Sequence, residues 1–192
     1  MHKHSFCYLV LLGVCCFSCQ KNTRKAATFF DSLAVASTQL LVKQKASLRK
    51  EVYIGNKRDT IQLRPDSAYW ANDLDVFKQL AVFQKPAYRD SYKMEDGLQD
   101  EQSNLTIRQF KAIKPTPISV VRFYYYHDFN QLKKIEADYQ EDNALYSTTR
   151  HLIMEFDEIA GKPALSYYSM DGFQKMILSD STLYSVHSYI TY

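Results

Sequence analysis

The chain has 192 residues, 46% of them hydrophobic and 23% charged, and a formal net charge of +3. These values exclude collagen-like and disordered classes, and the length suits one domain with a core of its own. A net charge of +3 is too small for a nucleic-acid footprint, so no nucleic-acid partner is expected. The charge is unevenly spread: between Gln20 and Lys50 the bases Lys21, Arg24, Lys25, Lys43, Lys45, Arg49 and Lys50 face one acid, Asp31, whereas acids outnumber bases from Glu51 onward.

The first element is an address. Met1-His2-Lys3-His4 precedes an apolar run from Phe6 to Phe17, about 12 residues, the length of a secretory h-region. A membrane-spanning helix needs roughly 20. Polar residues follow from Gln20 to Lys25, so residues 1–18 read as a signal peptide. All four cysteines, Cys7, Cys15, Cys16 and Cys19, fall within the first nineteen residues. The remainder therefore has no disulfide and no Cys-ligated metal site. Cys19 follows Phe17-Ser18 and precedes Gln20-Lys21-Asn22. This resembles a lipobox, in which a small residue precedes the Cys that is lipidated and becomes the mature N-terminus. Ser18 fits that pattern; Cys16 and Phe17 depart from its strict form. Cys16 is the weaker lipidation candidate, and ordinary cleavage without lipid is the alternative. The resemblance implies several acyl chains on Cys19, palmitate among them, each contributing about 0.8 kcal/mol per buried CH₂. It also implies a tether over residues 19–25 and a single domain over 26–192. Gln20 stands where an inner-membrane retention signal has Asp, and Lys21, Arg24 and Lys25 stand where surface-exported lipoproteins carry acids. The implied address is the outer membrane, facing the periplasm.

From Thr23 to about Lys50 the spacing predicts a helix: Ala26, Phe29, Phe30, Leu33, Ala36, Leu40 and Leu41 share a face, and no Gly or Pro interrupts. Glu51 to Leu63 reads as a hairpin about Gly55-Asn56. Arg64-Pro65 ends it, and Asp66 or Ser67 caps a second helix with the stripe Trp70, Leu74, Phe77, Ala81, a core face. Beyond Tyr88 the period becomes alternating. Tyr92 and Met94 open a strand, Glu95-Asp96-Gly97 to Asn104 forms an acidic loop, and Leu105 and Ile107 continue in the next strand. Strands follow about Val120–Tyr126, Ile135–Tyr139 and Leu152–Phe156, with turns at Asp128-Phe129-Asn130 and Gly161-Lys162-Pro163. Asp171-Gly172 is a two-residue hairpin signal. The last strand places Tyr184, Val186, Ser188 and Ile190 on one face. Short strands with tight turns predict an α+β class: N-terminal helices packed on the concave face of a curved antiparallel β-meander of about six strands.

Chemistry-bearing patterns are sparse. His127, His151 and His187 fall in or beside different strands without a paired ligand spacing; no metal or cofactor is expected. There is no Gly-x-Ser-x-Gly elbow, no phosphate loop and no Cys nucleophile beyond the signal, so no catalytic residue is assigned. The acid pairs Glu95-Asp96, Asp100-Glu101 and Glu141-Asp142 read as solvated turns rather than a glycosidase pair. Tyrosine is the outlier, with 15 residues, a side chain suited to half-wet sheet faces and to binding surfaces.

The capped Trp helix ending Leu74-Asp75-Val76-Phe77, the Tyr-rich run, Asn143-Ala144-Leu145-Tyr146-Ser147 and the Gln174-Lys175 step resemble small cell-envelope lipoproteins of Bacteroidetes-type bacteria, over most of residues 20–192. The resemblance implies a membrane-anchored envelope protein and carries over no mechanism. The expected function is a non-enzymatic binding or assembly role with an envelope protein as partner. The alternative is a periplasmic carrier of lipid or another hydrophobic ligand, with a cavity between helices and sheet.

Overall fold

A computed structural model describes residues 29–192. Cys19, the signal segment 1–18 and the tether 19–25 lie outside the described residues, as does the expected start of the first helix.

Helix α1 spans Phe29–Lys43 and buries Phe30, Ala34, Ser37 and Leu41, one stripe at helical spacing. It ends seven residues earlier than the periodicity predicts. The Ala46 N–H donates to the Leu41 carbonyl at 3.0 Å and the Lys45 N–H to the Val42 carbonyl at 3.1 Å, with Lys45 at φ +53. That is a left-handed C-terminal cap built on lysine in place of the usual glycine. Ser47–Ile54 then forms strand β1, hairpinned to β2, Lys57–Leu63. Helix α2, Ser67–Asp73, is capped by Asp66, whose carboxylate accepts from the Tyr69 N–H at 2.8 Å. Two 3₁₀ stretches follow, Asp75–Gln84 and Pro86–Ser91. Trp70, Leu74, Phe77 and Ala81 are all buried, as their spacing predicts.

Seven further strands follow: β3 Tyr92–Gln99, β4 Thr106–Ala112, β5 Ile118–Tyr125, β6 Leu132–Asp142, β7 Tyr146–Ile159, β8 Lys162–Met176 and β9 Thr182–Thr191. All nine strands form one open antiparallel sheet in the order β2-β1-β9-β8-β7-β6-β5-β4-β3. The helical segments carry the chain from β2 at one edge to β3 at the other, and a meander returns it until β9 pairs with β1.

This corrects the expected architecture of N-terminal helices on a six-stranded meander. Strands occupy 54% of the structure, and β1 and β2 precede the second helical region. Three local causes account for the difference. The Lys45 cap converts residues 47–50 from helix to strand. A bulge between Glu95 and Leu98, with Gly97 at φ +77, lets β3 run through the acidic segment. Asp171-Gly172 lies inside β8, not at a turn: Gly172 pairs with both Arg150 and Tyr184, and a Cβ there would sit 3.0 Å from the Tyr184 ring carbon Cζ and 2.2 Å from the Thr149 carbonyl oxygen. Glycine there admits the cross-strand tyrosine. The register Leu48↔Ile190 joins the first hairpin to the meander through two buried side chains.

The core lies between the helical layer and one sheet face. Phe83 stacks on Phe110 with centroids 4.2 Å apart, and Phe29 and Phe30 meet Phe123 at 5.5 and 5.8 Å. Phe77 packs edge-on against Tyr168 at 5.7 Å. The Lys50 ammonium and the Tyr168 hydroxyl both bond the Asp73 carboxylate, tying α2 to β1 and β8.

Candidate functional site

Side chains alternate across each strand, so residues opposite the helical layer form a second face. No helix among the described residues covers it. The register places Tyr53, Ser185, Asp171, His151 and Asp138 side by side on five neighbouring strands, β1, β9, β8, β7 and β6. Flanking rows add Arg49, Tyr189 and Tyr167 on one side and Glu51 and His187 between.

Two hydrogen-bonded groups occupy this outer face. In the first, His151 Nδ1 lies 2.7 Å from Asp138 Oδ1. A carboxylate offers no proton, so Nδ1 donates. Nε2 lies 3.7 Å from Glu136 Oε1. The bond to Asp138 raises the imidazole pKa above its ordinary value, against the opposing effect of burial. The same bond lowers the Asp138 pKa. Burial works to raise the Glu136 pKa, but bonds from the Tyr124 hydroxyl, at 2.8 Å, and from Lys134, at 3.1 Å, outweigh it and leave the pKa lowered.

In the second group, Ser185 Oγ donates to Asp171 and lies 2.6 Å from His187 Nε2, while the Tyr167 hydroxyl lies 2.6 Å from His187 Nδ1. Because Ser185 O–H goes to Asp171, Nε2–H must donate to Ser185 Oγ, and the Tyr167 hydroxyl and Nδ1 share the remaining bond. Nε2 therefore gives a proton to the serine and cannot take one from it, the reverse of what an activated nucleophile requires. The backbone amides beside Ser185 belong to a strand laddered on both sides, which leaves no donor pair aimed at an oxyanion. Glu136 and Asp138 are both held ionised, so neither is poised as a general acid. The polar face orders side chains more than it activates them.

The third feature is a tyrosine–arginine corner on β1, β2, β8 and β9. Glu51, its side chain 9% exposed, accepts from Arg49, from Arg58 at 3.2 Å and from the Tyr53 hydroxyl at 3.0 Å. The Tyr53 bond leads the causes that lower the Glu51 pKa. Both arginine side chains stay open to solvent, at 56% and 57% exposure. Arg49 lies over the Tyr189 ring at 5.7 Å and Arg58 over Tyr53 at 5.2 Å. Tyr189, 44% exposed, leans on Tyr167 at 5.2 Å. The carboxylate sits beneath and the cations above, so the corner presents positive charge among aromatic rings.

The histidines do not converge. His127 lies in the β5–β6 turn at φ +55, and no group of three His, Cys, Asp or Glu side chains among the described residues is placed to hold a metal ion. The acid pairs divide by alternation: Glu95 bonds Gln109 on the outer face, while Asp96 bonds Arg108 and Tyr125 on the helical side. The outer-face pair Glu136 and Asp138 was visible only as the polar side of an alternating strand. Their meeting with His151 needs the β6–β7 register, which no local signal supplies.

No family model, curated protein or solved structure matches the chain. No helix among the described residues is long and apolar enough to cross a membrane.

Proposed function

We propose that the chain is a lipid-anchored envelope protein that docks an acidic surface of a partner envelope protein through the Tyr53–Tyr167–Tyr189 and Arg49–Arg58 corner of its outer sheet face. The observation that carries this reading is the layering at Glu51: the acid is buried, while the two arginine side chains bonded to it remain more than half exposed beside an open tyrosine. Tyrosine and arginine are the side chains most often found at binding hot spots. Exposed cations of one sign select an oppositely charged partner and speed its encounter. The Ser18-Cys19 junction and the apolar run before it support the anchor.

The test uses intact cells producing the full chain, labelled with a fatty-acid analogue and then crosslinked. The wild-type protein takes up label, Cys19→Ala does not, and one dominant crosslinked partner joins through an acidic segment. Arg49→Glu with Arg58→Glu abolishes that adduct while leaving the label. An adduct that survives the charge reversal, or one that maps to the helical side, removes the docking reading; an unlabelled wild-type protein removes the anchor.

A second reading is a carrier that shelters an acyl chain between the helical layer and the sheet. It rests on the make-up of that layer after β2, a seven-residue helix and two 3₁₀ stretches over an apolar sheet face. Such short elements open more readily than long helices. Native mass spectrometry of protein extracted from membranes shows retained lipid if this is so, and protein alone if it is not.

A further inference from the structure

A separate site lies on the helical side. Arg150 on β7 makes no hydrogen bond or ion pair among the described residues, and its Nε is buried without a partner. An unsatisfied buried donor on a charged group carries a free-energy cost and calls for a physical explanation. The neighbouring acid, Glu141, attracts the cation but makes no hydrogen bond or close ion pair with it. Glu141 is engaged elsewhere, accepting from the Tyr139 hydroxyl at 2.5 Å and the Tyr146 hydroxyl at 2.6 Å. Arg150 instead lies over the Tyr139 ring, 5.1 Å from its centroid. Burial and the Glu141 bond push the Tyr139 pKa up to about 12, so that hydroxyl stays protonated and keeps Glu141 occupied.

Arg150 opens onto a cleft of about 420 Å³ between the first 3₁₀ stretch and strands β5–β7. Lys85, Gln79, Tyr88 and Pro117 also line it, and more of its open surface is polar than apolar, because Val82 and Ile118 are themselves buried. Two cations and one engaged carboxylate leave a net positive site. The volume lies within the range of small-ligand pockets.

We propose that this cleft binds an organic carboxylate. The two terminal nitrogens of the Arg150 guanidinium take the two carboxylate oxygens, Lys85 adds a point charge, Gln79 offers an amide, and the small body of the acid lies between Tyr88 and Pro117. The carboxylate belongs either to a free organic acid or to the C-terminus of a peptide; both present the same group to Arg150. This site is on the opposite side of the sheet from the tyrosine–arginine corner and stands or falls independently of it.

The test is an NMR titration of the full chain in detergent micelles, following the Arg150 side-chain N–H signal. The probes are benzoate, benzamide, and an N-acetylated Ala-Ala-Phe peptide with a free or an amidated C-terminus. The expected result is saturable movement of the Arg150 signal by benzoate, with benzamide weaker by about tenfold or more, the worth of one charge-assisted hydrogen bond. A free-acid peptide that binds more tightly than benzoate, with its amide inactive, identifies a C-terminus as the source; the reverse order identifies a small acid. Arg150→Gln abolishes binding and Lys85→Gln weakens it a few-fold, and the second variant serves if the first fails to fold. Carboxylates that leave the Arg150 signal unmoved, benzamide equal to benzoate, or a folded Arg150→Gln protein that still binds would overturn the proposal.

Discussion

Asp73→Ala probes how the helical layer is fastened to the sheet. Asp73 accepts from both Lys50 and Tyr168, and the side chains of Lys50 and Asp73 are 12% and 16% exposed. Removing one partner of a fully buried ion pair costs about 3–5 kcal/mol, because the other charge is left desolvated and alone. The lost Tyr168 bond to a charged acceptor adds about 1.5–3 kcal/mol before any relaxation. Residual exposure lets water reach the Lys50 ammonium, which lowers the sum to about 2–4 kcal/mol. With a urea dependence near 2 kcal/mol per molar, the midpoint falls by about 1–2 M. The partner experiment removes both charges and the hydroxyl that bonds them, Lys50→Met with Asp73→Leu and Tyr168→Phe, and stays within about 1 kcal/mol of wild type, since a buried polar cluster and a packed apolar one are nearly equivalent. Equilibrium urea unfolding, followed by circular dichroism and by Trp70 fluorescence, reads both. An Asp73→Ala loss under about 0.5 kcal/mol, the scale of an ordinary surface change, refutes the reasoning.

Three further outcomes are expected. Lys45→Gly stabilises the protein by about 0.5–1 kcal/mol, because relief of the left-handed strain exceeds the entropy that glycine loses; a lower urea midpoint would contradict the αL cap. Gly172→Ala destabilises by about 2 kcal/mol or more, since its Cβ meets a backbone oxygen and the Tyr184 ring; an unchanged melting temperature contradicts the packing. The His151–Asp138 pair contributes most between the ordinary Asp value of 3.8 and the ordinary His value of 6.5, where both groups are charged in the folded and unfolded chain. The raised His151 pKa means that the contribution fades as pH rises through it, and the lowered Asp138 pKa means that it fades as pH falls through that. His151→Gln therefore costs up to about 1 kcal/mol near pH 5.5 and less near pH 9, small because the pair is partly exposed; a cost that grows with pH is the opposite outcome.

Much of the local structure was legible because it rests on local chemistry. Asp66 caps α2, the Trp70 stripe is core, and alternation at Ile135–Tyr139 and Leu152–Phe156 marks buried strand faces. The architecture was not legible, because it depends on partners far apart in sequence. Lysine gives no sign that it will adopt a left-handed cap, Asp171-Gly172 looks the same at a turn as beneath a tyrosine ring, and only the β1–β9 register shows that the first hairpin joins the meander. The same limit applies to the sites. Arg49, Glu51 and Arg58 meet across a hairpin, and nothing adjacent to Arg150 reveals that Glu141 is taken by two tyrosines.

The most direct measurement places a photo-activated crosslinking amino acid at single positions of the full chain in living cells. Position 189 reports the tyrosine–arginine corner, and position 35, exposed on α1, reports the helical side. The expected result is one discrete adduct from position 189, joined to an acidic segment of an envelope protein, and none from position 35. Equal labelling from both positions, or an adduct from position 35 alone, would contradict docking through the outer face.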